Sequence, residues 1–227
     1  MKVIFDRVIF DDDLTMKRTT SLSVIGISLG ALTAIAVAAL LIWYQLGNVG
    51  ASVEAPQKAG FRPAIDIGGP FSLVDHTGAK VTEADFLGKY MLVVFGYTYC
   101  PDICPASLSR VSAALKKLDK KADRIQPVFV TIDPARDTPK LLSGYVSHFH
   151  PALKGLTGTE NQIAQMAKAY RVFRKKVVDA SSNDYLMDHS TFIYLMNPKG
   201  KLALMLRHET DPIIMAKAIE DEILGKR

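Results

Sequence analysis

A chain of 227 residues that is 48% hydrophobic and 22% charged, with a formal net charge of +5, is long enough for one good-sized core. Lysines and arginines alternate with acidic residues through the C-terminal part, so there is no continuous basic stripe and no nucleic-acid partner is expected. Neither an internal repeat nor a low-complexity tract is present.

The first distinctive segment is an uncharged run from Thr19 to Val53, whose apolar centre spans residues 22–46. That centre is long enough to cross a hydrocarbon core of about 30 Å, so residues 22–46 are expected to form a transmembrane anchor. Lys17 and Arg18 flank it on one side, and no positive charge follows until Lys58. The positive-inside rule then puts residues 1–21 in the cytoplasm and the C-terminal part outside. Trp43 and Tyr44 sit near the far end, where amphipathic rings favour the headgroup region. A cleaved signal peptide ending near Ala36-Val37-Ala38 is the alternative, but the apolar run continues past that point. Asp6 and Asp11 to Asp13 are unusual ahead of a membrane helix.

Residues 47–69 turn to Gly, Ala, Pro and Gln and read as a tether, leaving residues 70–227 as the folded domain. Within it, residues 71–74 and 80–82 read as short strands around the turn Asp75-His76-Thr77-Gly78, followed by a helical turn over 83–87. Tyr90 to Tyr97 is a continuous apolar, β-rich run, the pattern of a strand buried on both faces of a sheet. Leu108, Val111, Leu115 and Leu118 recur at helical spacing within 106–121. A strand over 126–132 follows, then helices over 138–149 and 159–170, the latter capped by Thr159. Strands over 190–195 and 201–206 are joined by Asn197-Pro198-Lys199-Gly200, and an amphipathic helix covers 211–224. This order is that of an α/β thioredoxin-like sandwich with an N-terminal β-hairpin and, ahead of it, a single N-terminal transmembrane helix.

The two cysteines, Cys100 and Cys104, lie four apart where the buried strand meets a helix. Orphan N–H groups and the positive dipole end there favour a thiolate. A structural disulfide is the ordinary reading for paired cysteines in an exported domain. Side chains four apart on one helical face, however, have Cβ atoms about 5–6 Å apart, beyond the roughly 3.8 Å of a relaxed bridge. Two thiolates on one metal tolerate that separation better, through bonds of about 2.3 Å. If Cys100 instead lies in the preceding loop, a disulfide and redox chemistry remain open. Soft thiolates select Cu(I) or zinc, and an added imidazole admits Cu(II). Zinc in a closed structural site wants a fourth protein ligand and no third cysteine exists, so copper is the better match.

Five histidines compete as a third donor: His76, His148, His150, His189 and His208. Residue type and position alone hardly separate them. Three segments do: Tyr97-Thr98-Tyr99-Cys100-Pro101-Asp102-Ile103-Cys104-Pro105, Val130-Thr131-Ile132-Asp133-Pro134-Ala135-Arg136-Asp137-Thr138-Pro139, and Tyr185-Leu186-Met187-Asp188-His189-Ser190. In order, they resemble the signature segments of the Sco/SenC family of cytochrome c oxidase assembly proteins, over about residues 65 to 225. The resemblance implies Cys100, Cys104 and His189 as copper ligands. It also implies a membrane-anchored metallochaperone for the binuclear copper site of cytochrome c oxidase. The partners implied are the oxidase subunit that carries that site and a periplasmic copper donor. A thiol-disulfide oxidoreductase that keeps the cysteines of that site reduced, with Cys100 and Cys104 as the redox pair, is the second reading. A peroxidase on the same fold class is a third. With no Arg- and Ser-rich transit segment before the apolar run, a bacterial inner membrane with the domain in the periplasm is expected over a mitochondrial inner membrane. Asp133 and Asp137 read as turn and capping residues, Met187 as core, and Asp188 as a neighbour able to orient His189.

Overall fold

The computed structural model describes residues 33–44, 60–178 and 184–226, and the chain divides into two compact units, residues 1–55 and 56–227. In the first unit residues 33–44 form helix α1, whose apolar side chains, Trp43 among them, are all exposed. The rest of the expected anchor, residues 22–32 and 45–46, lies outside the described residues. Among the described residues no helix is long and apolar enough to cross a membrane.

The second unit is built on a seven-stranded sheet in the order β2 (Lys80–Thr82), β1 (Ser72–Asp75), β5 (Lys154–Thr157), β4 (Ile125–Thr131), β3 (Tyr90–Gly96), β8 (Phe192–Met196), β9 (Leu202–Arg207). Strands β1 (Ser72–Asp75) and β2 (Lys80–Thr82) form the expected hairpin. The Asp75 carboxylate closes their turn by accepting from the Thr77 and Ala79 N–H groups. Gly78 takes φ 92° there, a left-handed conformation that glycine adopts without steric cost. The hairpin also pairs through β1 with β5 (Lys154–Thr157), so it extends the main sheet.

Strand β3 (Tyr90–Gly96) is buried at every position, as its apolar run demands. Its side chains alternate between two cores. Tyr90, Leu92 and Val94 meet helices α2 (Ile103–Leu118) and α5 (Pro212–Ile223) on one face, and Met91, Val93 and Phe95 meet α4 (Glu160–Ala169) on the other. Parallel pairing of β3 with β4 (Ile125–Thr131) requires the crossover that α2 supplies. Strands β8 (Phe192–Met196) and β9 (Leu202–Arg207) complete the sheet as an antiparallel hairpin. Helix α3 (Pro139–Val146) starts at Thr138, whose hydroxyl accepts from the Leu141 N–H, and α4 starts at a capping box of Thr159 and Gln162. The architecture is the expected thioredoxin-like α/β sandwich.

Three features differ from the sequence expectation. Strand β5 and the separate two-stranded sheet of β6 (Arg174–Val178) and β7 (Tyr185–His189) had no periodic apolar signal. Helix α2 begins at Ile103, three residues earlier than its apolar stripe suggests, which takes Cys104 into its first turn. Residues 60–69, assigned to the tether on composition, lie on the domain: Phe61 bridges Met205 with two 2.9 Å backbone hydrogen bonds, and Arg62 donates to the Ala203 carbonyl at 2.5 Å.

Candidate metal centre

Cys100 ends the loop after β3, where its N–H reaches the Tyr97 carbonyl at 3.2 Å. Cys104 is 1% exposed in the first turn of α2. The two side chains therefore do not share one helical face, and the geometric objection to a disulfide falls away with that premise. Both thiols are free. The neighbouring Cys104 thiol, more than any other group, and then the N–H groups of Cys104 and Asp102 at the helix start lower the Cys100 pKa to about 5 against the opposing effect of burial. The Cys100 thiolate, together with burial, holds the Cys104 thiol well above the ordinary range.

His189 closes β7 and reaches the cysteines from 85 residues away in sequence, its Nε2 standing 3.7 Å from Cys104 Sγ. Its Nδ1 donates to the Ser190 carbonyl at 2.8 Å, since a carbonyl can only accept. The proton of the neutral ring is thereby assigned to Nδ1, leaving the Nε2 lone pair free on the sulfur side. Burial, above all, pushes the His189 pKa below its usual value, so the ring is neutral at pH 7. The Tyr97 ring packs edge-on against the imidazole at 6.0 Å.

The other four histidines are used elsewhere or lie apart. His76 accepts from the Gly155 N–H and His150 from the Ala152 N–H, each through Nδ1, and His208 pairs with Glu209. His148 is exposed beside an open groove between Tyr99 and α3. Asp188 is exposed on the face of β7 opposite His189, as strand alternation requires, and Met187 packs on the second core. As the side chains stand, no three His, Cys, Asp or Glu residues among those described are close enough together to hold an ion. Cys104 is the shared member of two contacts, one to Cys100 and one to His189.

Asp137 fixes the loop that carries Cys100. Fully buried, it accepts from the Thr98 N–H at 3.0 Å, the Thr98 hydroxyl at 2.6 Å and the Thr131 hydroxyl at 2.6 Å. This internal anchoring is the structural role expected for it, although it acts across the fold and not as a local cap. Gly96 makes room for the buried thiol: a Cβ there would stand 2.7 Å from Cys104 Sγ and 2.8 Å from Phe129. Gly96→Ala is expected to destabilise the domain by about 1–3 kcal/mol through overpacking. Denaturant midpoints at unchanged m-value will measure this.

A family model described as SCO1/SenC matches residues 60–224. The chain belongs to the SCO1/SenC family. Protein sco1 of Schizosaccharomyces pombe is 42% identical over 164 residues, which are 71% of this chain and 62% of that protein. The human protein named SCO1 homolog, mitochondrial, is 41% identical over 137 residues, 60% of this chain and 46% of its own length. The chain thus spans about half to three-fifths of the curated relatives it matches. The solved structure of Bradyrhizobium japonicum ScoI with copper bound is 41% identical with a TM-score of 0.64, covering 69% of this chain and 99% of that one.

Proposed function

We propose that this SCO1/SenC chain is a metallochaperone that carries copper to the binuclear copper site of cytochrome c oxidase, with Cys100, Cys104 and His189 as the donors. The observation that carries the reading is the meeting of Cys104 Sγ and His189 Nε2 at 3.7 Å across 85 residues of sequence. The donor set suits the cargo. Two sulfurs and a neutral imidazole fit Cu(I) and, through the nitrogen, Cu(II). The Nδ1–H bond to the Ser190 carbonyl is the outer contact that orients a ligating histidine. Copper-bound relatives of similar sequence support the same choice of metal. Cys100, Cys104 and His189 hold the ion until a partner with soft donors takes it by ligand exchange, so no turnover is required.

In this reading residues 22–46 anchor the chain in the membrane with residues 1–21 in the cytoplasm, and the domain, which includes residues 60–69, faces the periplasm. The partners are the oxidase subunit that carries the copper site and a periplasmic copper donor.

The asymmetry of the cysteines favours a second activity on the same partner. Cys100 is partly exposed and Cys104 is buried behind it. The Cys100 thiolate attacks a partner's disulfide and releases one partner thiolate. Cys104, losing its proton, then displaces the second, so the Cys100–Cys104 disulfide forms as the partner is reduced.

Copper stoichiometry and visible absorption of the full chain, set beside Cys100→Ser and His189→Ala, test the choice. One copper per chain with thiolate-to-copper charge-transfer bands, lost in both variants, is the expected result. Normal copper retention by His189→Ala, with cysteines that still cycle on a disulfide substrate, would make the reductase the primary function.

A further inference from the structure

Among the described residues, strands β6 and β7 pair only with each other, so there the hairpin that carries His189 is held to the domain by side chains and not by a sheet ladder. Tyr185, Met187 and His189 alternate along β7 and share its inward face. Each is met differently. His189 faces Cys104, and Met187 packs on the core cluster that contains Tyr97. Tyr185 is met by Arg136.

Arg136, in the loop after β4, is 15% exposed although it is a cation. Its Nε donates to Asp133 at 2.5 Å, and its Nη1 donates to Asp184 at 2.9 Å and to the Tyr185 carbonyl at 3.0 Å. Its guanidinium lies 3.7 Å from the centre of the Tyr185 ring and 4.6 Å from that of Tyr99, next to Cys100. The Tyr185 hydroxyl returns to the same Asp133 at 2.9 Å. Asp133 is itself buried, with its N–H donating to the Thr131 hydroxyl at 2.9 Å. One cation therefore touches the loop before Cys100 and the start of the strand that ends at His189. A planar guanidinium can stack on rings and donate in its plane at once, which an ammonium cannot do. At the base of the hairpin Arg174 donates to the Ile132 carbonyl at 3.0 Å. The base is thus pinned separately from the end that Arg136 grips.

We propose that Arg136 is a positioning residue, the latch that holds the Tyr185 end of the His189 hairpin against the thiol loop and so sets the angle at which β7 presents His189 to the cysteines. The inference rests on the three-donor reading of the site. Without the latch the hairpin stays attached at Arg174, the cross-strand partner of His189, and pivots there as the Tyr185 end lifts, which turns His189 without releasing it.

Amide hydrogen exchange on the metal-free full chain tests the latch without reference to copper. In Arg136→Leu, exchange across residues 185–187 is expected to rise by about tenfold or more while β3 and β4 stay protected. Tyr185→Leu, which keeps the buried arginine and its Asp133 pair, is expected to show the same pattern, and Arg136→Lys to be intermediate. Copper affinity by competition titration is expected to fall about 10–100-fold in Arg136→Leu, the range for residues behind a ligand. Adding His189→Ala to Arg136→Leu should then cause no loss beyond that of His189→Ala alone. Unchanged exchange at 185–187 in both leucine variants would overturn the latch, and so would fully additive losses in the double variant. If wild type retains no copper, the three-donor reading fails, and the exchange result still decides whether Arg136 holds the hairpin.

Discussion

Asp137→Ala will cost the domain about 3–5 kcal/mol, because one truncation orphans a buried N–H and two hydroxyls at once. The carboxylate is fully buried and receives the Thr98 N–H, the Thr98 hydroxyl and the Thr131 hydroxyl. Burial raises its pKa and the three donors oppose that shift, so most of what holds the group is local hydrogen bonding. The hydroxyls can turn toward other acceptors, but the Thr98 N–H cannot, and its cost is the firm part of the total. Thr98→Val keeps the Thr98 N–H, removes a single donor and is expected to cost about 1 kcal/mol. Urea midpoints at constant m-value distinguish these cases. Comparable losses for Asp137→Ala and Thr98→Val would mean that Asp137 is not the anchor of the Thr98 loop. Since Thr98 precedes Cys100 by two residues, the same variant is expected to loosen the cysteine loop in whatever fraction stays folded.

The sheet, its helices and the cysteine pair were legible because their signals are local. Strand β3 shows as an apolar run, α4 as a capped periodic stretch, and the β8–β9 turn as Asn197-Pro198-Lys199-Gly200. Strand β6 was hidden, since Arg-Lys-Lys-Val-Val lies in a hairpin off the main sheet with four of its five positions exposed. Hidden with it was the means by which His189 reaches the cysteines. Five histidines looked alike in sequence because what separates them is their place in the fold, which brings His189 to Cys104 across 85 residues. The three matching segments identified His189 without explaining it. The explanation lies in Arg136, which the sequence presents only as one residue of a turn-like Asp-Pro-Ala-Arg-Asp stretch. The missed signal was that a residue between two future anchors, Asp133 and Asp137, faces both Tyr99 and Tyr185.

Cys104 is the residue on which both proposed chemistries converge, and Cys104→Ala is expected to affect each through a separate readout. Its sulfur is the one that faces His189, so its loss breaks the only contact between the imidazole and a thiol among the described residues. Copper binding should weaken by more than about 100-fold, beyond the range for a residue behind a ligand, because a soft donor disappears outright. Its thiol is also the strongest influence lowering the Cys100 pKa, with the helix-terminal N–H groups of Asp102 and Cys104 contributing less. Alkylation of metal-free wild type should therefore follow a thiolate midpoint at about 5. In Cys104→Ala the midpoint should move up toward the ordinary thiol range without reaching it, because the backbone donors remain. Between the two midpoints the variant's Cys100 then carries less thiolate than wild type and reacts more slowly. A wild-type midpoint already in the ordinary range would remove the cysteine asymmetry and the reductase reading with it. Undiminished copper affinity in the variant would remove Cys104 from the donor set.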